Sequence, residues 1–220
     1  MNEVPNLETA QTGPVLALEG RILDAQVSIE SWFRTQWQST PPPFYGSVDL
    51  RNAGFKLAPV DTNLFPAGFN NLNPEMMALC VQAVQATMAE KCACARRLLV
   101  IPESHTRNLF YFENLAMLCE ILERAGFEVR IGSLIPDLTE PSKQLLPSGR
   151  EILLEPLIVK DNQVGVTDYF PCCIVLNNDM SSGIPESFKN STQLFMPSTQ
   201  LGWSTRLKST HFQHYHDVAT

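Results

Sequence analysis

The sequence has few glycines and lacks the glycine-rich motifs that bind nucleotides in many enzymes. Its 220 residues include 11 glycines, which are scattered along the chain. Neither the phosphate-loop pattern GxxxxGK followed by Ser or Thr nor the dinucleotide-binding pattern GxGxxG occurs. Both motifs need closely spaced glycines to bring the backbone near phosphate groups. P-loop and Rossmann-type nucleotide sites are therefore excluded from this chain.

Long apolar runs and an excess of positive charge are also absent. No apolar run approaches the length of about 20 residues that a membrane span needs. Residues 1–13 are polar and lack the apolar stretch of a secretory signal. The net charge of −7 argues against nucleic acids and anionic membranes as main partners. We therefore expect a soluble, cytoplasmic protein, whose partner can still be a small anion bound by a local Arg/Lys cluster.

The six cysteines do not have the spacing that zinc sites use. Paired zinc ligands are separated by about two to four residues, whereas the pairs here are CAC at 92–94 and CC at 172–173. Cys80 and Cys119 lie at apolar positions of predicted helices, where a free cysteine packs like a small apolar residue. The three histidines near residue 214 lack accompanying carboxylates of a metallohydrolase pattern. We expect reduced thiols and no metal site.

Hydrophobic periodicity predicts an α/β fold. We expect a loose leader at 1–13 and a single α/β domain at 14–220, which starts with a helix at 14–38 and a proline linker at 39–43. Further helices are predicted at 74–91 and 106–125, the first capped by Asn73 and the second by Ser104 or Thr106 and ended by Gly126. Predicted strands are 44–50, 97–101, 129–134, 151–159, 164–169, 172–176 and 193–196, with an irregular excursion at 135–149 and a turn at 161–162.

Residues 97–134 predict a strand, a helix and a second strand in a parallel or mixed sheet. RLLVI at 97–101 is continuously apolar, as in strands covered on both faces. Ligands of such sheets bind beyond the carboxyl ends of the strands. Glu103 and Arg107 follow the first strand, and residues 177–179 hold the same position after 172–176. Arg107 near a helix N-terminus opposes the helix dipole, so an anion beside it is favoured.

A polar stretch at 47–73 is the strongest candidate site along the chain. It mixes polar side chains with apolar residues that can anchor a loop rigidly. Asn and Asp also form turns by bonding to nearby backbone, so a purely structural loop is the alternative. The candidate substrate-binding residues here are Asp49, Arg51, Asn52, Lys56, Asp61, Asn63, Asn70 and Asn71.

Three segments carry a family resemblance: SVDLRNAGFKLAPVDTNLFPAGFNNL, IPESHTRNLFYFENL and GWSTRLKSTHF. They resemble a bacterial family of glutamate–cysteine ligases of the type first described from iron-oxidising bacteria, and the resemblance covers most of residues 15–218. It implies glutamate and cysteine as substrates, ATP and Mg²⁺ as cofactors, and formation of γ-glutamylcysteine, the first step of glutathione biosynthesis.

The chemistry that the resemblance implies matches the side chains available. Cationic groups would bind carboxylate or phosphate, and we assign Arg206 and Lys208 to phosphate. Carboxylates would bind a substrate ammonium group, and asparagines would supply neutral hydrogen bonds. The cationic candidates are Arg51, Lys56, Arg107, Arg206 and Lys208, the carboxylates are Asp49, Asp61 and Glu103, and no catalytic residue is assigned.

Members of the family are longer than this chain, and their later portion resembles an ATP-grasp fold. We therefore expect the N-terminal half of such a ligase, the substrate or pre-ATP-grasp part, which a C-terminal half would complement. Alternatives are a non-catalytic fragment that binds an amino acid or peptide, and an unstable fragment with bare apolar surface.

Overall fold

A computed structural model describes residues 13–53, 57–104 and 108–219. Its helices are α1 (Gly13–Asp24), α2 (Gln26–Trp37), α3 (Met77–Lys91), α4 (Leu109–Arg124), α5 (Glu186–Lys189) and α6 (Lys208–Ala219). Its strands are β1 (Ser47–Asn52), β2 (Leu57–Asn63), β3 (Arg97–Pro102), β4 (Glu128–Ser133), β5 (Ser142–Leu145), β6 (Glu151–Pro156), β7 (Ile158–Lys160), β8 (Gln163–Gly165), β9 (Cys173–Asn177) and β10 (Leu194–Met196). Within these ranges, no helix is both long and apolar enough to cross a membrane.

A six-stranded sheet forms the centre of the fold, in the order β10-β9-β3-β4-β6-β5. Neighbouring strands are parallel, except for β5, which pairs antiparallel with β6 at one edge. The predicted α/β class and the parallel strand–helix–strand unit are confirmed, with Arg97 opposite Glu128 in the β3–β4 pair. The carboxyl ends of β3 and β9 therefore lie side by side, a neighbour relation that the sequence did not reveal.

The strand β3 is buried on both faces, which explains its continuous apolar run. Leu98 and Val100 pack with α3 and α4 on one face of the sheet. Leu99 and Ile101 pack on the other face, among residues of β8, β9 and α5. All four side chains are fully buried. Each contributes about 1.5–3 kcal/mol by leaving water, so this strand is a rigid support for whatever follows it.

The ends of α3 and α4 follow local capping rules. The Asn73 side chain accepts a hydrogen bond from the Glu75 N–H at 3.0 Å and so caps, as predicted, the chain entering the helix; the first turn, Pro74–Met76, is a 3₁₀ turn that leads into α3. Helix α4 starts later than predicted, because Asn108 is its cap and accepts from the Phe110 N–H at 3.0 Å. Gly126 has a φ of 101°, a left-handed conformation that favours glycine, and ends the helix as predicted. Of the two caps that the sequence proposed for α4, Thr106 lies outside the described residues.

The predicted helix at 14–38 is present as α1 and α2, with a local interruption at Ala25. The Ala25 N–H still donates to the Arg21 carbonyl at 3.1 Å, so the interruption is a distortion rather than a full break. The aromatic side chains of α2 pack on one another. Phe33 contacts Trp32 and Trp37, with ring centroids 5.2 and 5.7 Å apart, but α2 buries none of its residues.

The strands β2 and β5 occur where the sequence predicted loops. The first part of the polar stretch is an antiparallel hairpin of β1 and β2, with a bulge after Asp49. The predicted strand at 44–50 was thus placed too early. Residues 135–149, predicted to be irregular, contain the edge strand β5. Both errors have the same cause: Asp, Asn, Lys and Pro disfavour strands, and pairing with a neighbouring strand overrides that preference.

The turn predicted at residues 161–162 is confirmed, and it belongs to a short hairpin. Asp161 and Asn162 have φ angles of 51° and 59°, which two-residue hairpin turns require. They connect β7 to β8. The predicted strand at 151–159 is divided, because β6 joins the central sheet and only β7 joins the hairpin.

We predict that Leu115→Ala lowers the free energy of unfolding by about 2–5 kcal/mol, because it opens a cavity in the core between α4 and the sheet. Leu115 is fully buried. Leu79→Ala is the matched control: Leu79 lies on α3 with 59% of its surface exposed, so its loss should change stability by less than about 0.5 kcal/mol. Urea denaturation measures both. Equal effects of the two substitutions would contradict this core.

Candidate active site

A pocket of about 500 Å³ opens at the carboxyl ends of β3 and β9. It lies where the parallel sheet predicts a ligand site. One wall comes from the turn after β2, and the other walls come from the ends of β3 and β9 and the start of α4. The lining residues are Asn63, Phe65, Ala67, Gly68, Asn70, Asn71, Glu103, Asn108, Phe110, Tyr111, Asn114 and Asp179.

A buried pair of asparagines joins the walls of this pocket. Asn114 and Asn177 are each 1% exposed, and the Asn114 amide donates to Asn177 Oδ1 at 3.2 Å. Asn114 Oδ1 accepts hydrogen bonds from the backbone N–H groups of Gly68 at 2.7 Å and Phe69 at 3.0 Å. The Asn177 amide donates to the Pro66 carbonyl at 2.8 Å. The turn at 66–69 is therefore bonded to both α4 and β9.

Tyr111 adds a hydroxyl group to this network. The hydroxyl accepts from the Glu103 N–H at 2.8 Å and donates to Asn177 Oδ1 at 2.9 Å. Burial raises the pKa of Tyr111 well above its usual range, so the group stays protonated and remains a donor. Its two bonds hold the backbone of Glu103 at the end of β3.

Glu103 and Asp179 stand together at the ends of the two central strands. The Asp179 N–H donates to Glu103 Oε1 at 2.9 Å, and its carbonyl accepts from the Trp203 N–H at 2.9 Å. A Cβ on Gly202 would lie 2.4 Å from that carbonyl oxygen, so the close approach requires glycine. Among the described residues, these two carboxylates are the charged groups that line the pocket. Carboxylates in a polar cleft suit an ammonium group or a divalent cation.

Four of the predicted site residues line the pocket: Asn63, Asn70, Asn71 and Glu103. Asn63 also has the structural role that the alternative interpretation gave to this stretch, because its Oδ1 accepts from the Phe65 N–H at 2.8 Å. This bond turns the chain from β2 into the pocket wall, where Phe65 is buried in the core. The predicted anchoring of polar groups by apolar residues is confirmed at this turn.

A second cluster lies beside the pocket, around Trp203. Arg206 stacks on the indole ring with its guanidinium carbon 5.0 Å from the centroid, and the Lys208 ammonium lies 5.2 Å from the same centroid. Lys208 Nζ is 3.7 Å from Asp61 Oδ2, a solvent-exposed pair of small net effect. Asp61 is thus paired with a cation. Thr62 contacts His211 Nε2, so the β1–β2 hairpin touches α6.

Asp49, Arg51 and Asp61 are described residues that were predicted to bind substrate, and they do not line this pocket. Asp49 and Arg51 are exposed on β1, where Asp49 stands opposite Asp61 in the hairpin. Asn52 ends the same strand. Lys56 and Arg107 lie outside the described residues, so their assignment stays a prediction.

Tyr111 and Asn114 build the site but were not predicted from the sequence, and Asn177 was noticed only by its position after the strand at 172–176. Asn114 offered a signal, because a single amide in an otherwise apolar helix must find a hydrogen-bond partner when buried. Asp179 was noticed by its position after β9 but was not proposed as a ligand contact. The structure places it directly against Glu103.

Two comparisons with known proteins find relatives of this chain. The glutamate-cysteine ligase family model matches residues 19–220. The chain is also similar to the crystal structure of a protein provisionally designated gamma-glutamylcysteine synthetase from Methylobacillus flagellatus KT, with 54% identity and a TM-score of 0.82. That match covers 98% of this chain and 51% of the Methylobacillus chain. No curated protein matches the chain.

The chain belongs to the glutamate–cysteine ligase family, because the family model matches nearly its whole length. The resemblance seen in the three sequence segments is therefore confirmed. The chain spans about half the length of the Methylobacillus protein.

We predict that Asn114→Ala lowers the free energy of unfolding by about 1–3 kcal/mol, because the Gly68 and Phe69 N–H groups lose their acceptor. Asn190→Ala, at an exposed position after α5, is the control and should have little effect. Denaturant unfolding measures the change. An Asn114 variant as stable as the control would show that the buried amide pair does not hold the pocket wall.

Proposed function

We propose that this chain carries the amino-acid-binding part of a glutamate–cysteine ligase, which forms γ-glutamylcysteine with ATP in glutathione biosynthesis. The observation that carries this proposal is the pair of carboxylates, Glu103 and Asp179, held at the carboxyl edge of the sheet in a member of this family. Both substrates of such a ligase are amino acids with an ammonium group. The pocket supplies anionic acceptors for that group.

In this proposal, each wall of the pocket has a separate task. Glu103 and Asp179 accept hydrogen bonds from the substrate ammonium group. The amides of Asn70 and Asn71 donate hydrogen bonds to carboxylate oxygens of the same molecule. We keep Arg51, Lys56 and Arg107 as predicted carboxylate-binding residues. The rigid backbone at the ends of β3 and β9 keeps the substrate in one orientation, which is the main contribution a ligase makes to rate.

The cluster at Trp203 fits the predicted phosphate contacts. The Nε atom of Arg206 is buried and makes no hydrogen bond within the described part of the chain. A buried guanidinium N–H without an acceptor is costly, and a phosphate oxygen would satisfy it. Lys208 adds a second cation on the same ring. Carboxylate and amide oxygens of the pocket are also the ligands that Mg²⁺ prefers.

ATP would supply the phosphoryl group that activates the glutamate γ-carboxylate toward the cysteine amine. The residues of this chain would hold the glutamate ammonium group at Glu103 and Asp179. Arg206 and Lys208 would neutralise negative charge beside it. The carboxylate pair and the cluster at Trp203 are directly linked, because the Asp179 carbonyl accepts a hydrogen bond from the Trp203 N–H.

We predict that L-glutamate alone raises the melting temperature of the purified chain, because binding to the folded state stabilises it by mass action. Glutarate has both carboxylates but no ammonium group, and it should give no shift. Glu103→Gln should abolish the glutamate shift while keeping the acceptor for the Asp179 N–H. Glu140→Gln, at an exposed loop position, should leave the shift unchanged.

Two results would count against ammonium recognition in this pocket. One is an equal shift with glutarate and glutamate. The other is a full glutamate shift in the Glu103→Gln variant. Either result would place any amino-acid binding elsewhere, and the proposed role of the two carboxylates would be wrong.

We also propose that ligase activity needs sequence beyond these 220 residues, supported by the Methylobacillus protein being about twice as long as the segment it shares. We predict no γ-glutamylcysteine formation by this chain alone, and activity when the remaining half is added. Detection of the product by mass spectrometry with the chain alone would contradict this.

A second candidate function is a non-catalytic module that binds an amino acid or peptide. It would be favoured if the chain binds glutamate but forms no product, either alone or with the remaining half. Cytoplasmic location stays a prediction.

A further inference from the structure

Three cysteines meet at the amino edge of the sheet, at the opposite end of the strands from the pocket. The Sγ atoms of Cys92, Cys94 and Cys172 all lie within 4.8 Å of one another. The Cys92 and Cys172 sulfurs are 3.5 Å apart. Cys94 and Cys172 are exposed and Cys92 is partly buried, so an ion from solution can reach all three.

The fold brings these cysteines together through the pairing of β3 with β9. Cys92 and Cys94 lie in the turn that leads from α3 to β3, where the Ala95 N–H donates to the Cys92 carbonyl at 2.9 Å. Cys172 directly precedes β9, in which Cys173 stands opposite Leu98 of β3. The spacing of the cysteines in the sequence argued against a metal site. Spacing alone does not reveal that Cys92 and Cys172, which are 80 positions apart, are neighbours in the fold.

The backbone around the cluster is held rigidly. The Leu194 N–H donates to the Cys172 carbonyl at 3.0 Å. Gln193, which is 9% exposed, donates to the Pro171 carbonyl at 2.5 Å and to the Val164 carbonyl at 2.8 Å. The entry to β9 is therefore bonded to two neighbouring segments. A preformed ligand set loses little freedom when an ion binds.

The sulfur spacing matches the requirements of a thiolate-bound ion. Zinc–sulfur bonds are about 2.3 Å long, so sulfurs at the corners of a tetrahedron are about 3.8 Å apart. The spacing of 3.5 Å between the Cys92 and Cys172 sulfurs, with all three sulfurs within 4.8 Å of one another, needs only small side-chain rotations to reach this value. A disulfide would join two of the sulfurs at about 2.05 Å and leave the third unexplained.

The local charge also favours an anionic thiolate site. The Arg96 guanidinium donates to the carbonyls of Ala93 and Ala95, at 3.3 and 2.8 Å, and so lies against the turn that carries two of the thiols. Three thiolates around a divalent ion have a net charge of −1. The fixed guanidinium charge beside them offsets part of it.

We propose that Cys92, Cys94 and Cys172 bind a thiophilic divalent cation of the zinc type, with the fourth position open to water or another ligand. Thiolates select such ions over Mg²⁺ and Ca²⁺. Binding displaces the thiol protons to solvent. The ion would tie the end of α3 to the start of β9. Asn177 lies five residues after Cys172 along β9, about 16 Å away at the rise of a strand, so the site is distinct from the pocket.

Cobalt(II) is the probe that tests this site, because thiolate coordination gives it a sulfur-to-metal charge-transfer band. We expect the reduced 220-residue chain to bind one Co²⁺ with this band and to release it to Zn²⁺. Cys92→Ser, Cys94→Ser and Cys172→Ser should each lower the affinity by at least about 100-fold, more than loss of an outer-shell partner usually does. Cys80→Ser removes a thiol outside the cluster and should leave binding unchanged.

Alkylation of the unsubstituted chain gives a second test that does not depend on variants. Zn²⁺ should protect the three cysteines from iodoacetamide, as mapped by mass spectrometry, and should leave Cys80 reactivity unchanged. Absence of the charge-transfer band, or unchanged affinity in all three cluster variants, would overturn the proposal. A Cys92–Cys172 disulfide in the oxidised chain, with no Co²⁺ binding after reduction, would overturn it in favour of a redox pair. Glutamate binding tests the pocket separately.

Discussion

The hydrogen bonds of the buried Asn114–Asn177 pair are the constraint on which the pocket depends. An amide buried without partners is costly, so each asparagine must keep its bonds as long as the chain is folded. Those bonds connect the turn at 66–69, the helix α4 and the end of β9. The pocket wall can move only if this network breaks. The surrounding apolar core makes such a break unfavourable, because water does not replace the lost partners.

The network explains how a turn can present polar groups as rigidly as a strand does. Tyr111 extends it to the backbone of Glu103, and Glu103 in turn binds the Asp179 N–H. The ends of the two central strands and the turn thus form one hydrogen-bonded unit. Such a unit holds the polar groups of the pocket in fixed positions, as the orientation of a bound ligand requires. The cysteine cluster occupies the other end of the same two strands, where the pocket imposes no requirement.

The features that the sequence predicts correctly, such as β3, the Asn73 cap and Gly126, are those whose local signals agree with the tertiary structure. The position of Glu103 directly after a buried strand was sufficient to predict that it lies at the pocket. The prediction placed β1 too early and failed for β2, whose polar residues read as a loop until a partner strand is known. It also failed for Asn114, because its partner is 63 residues away. The same limit hid the cysteine cluster. Long-range pairing decides these features, and one sequence does not reveal it.

Amide hydrogen exchange at Gly68 and Phe69 tests the role of the buried pair most directly. Both N–H groups donate to Asn114 Oδ1 in a segment with no strand partner. We expect them to exchange nearly as slowly as the amides of β3, because breaking their bonds requires opening the core. Exchange at the rate of an exposed loop would show that Asn114 does not hold the wall. The pocket would then be a mobile surface rather than a preformed site.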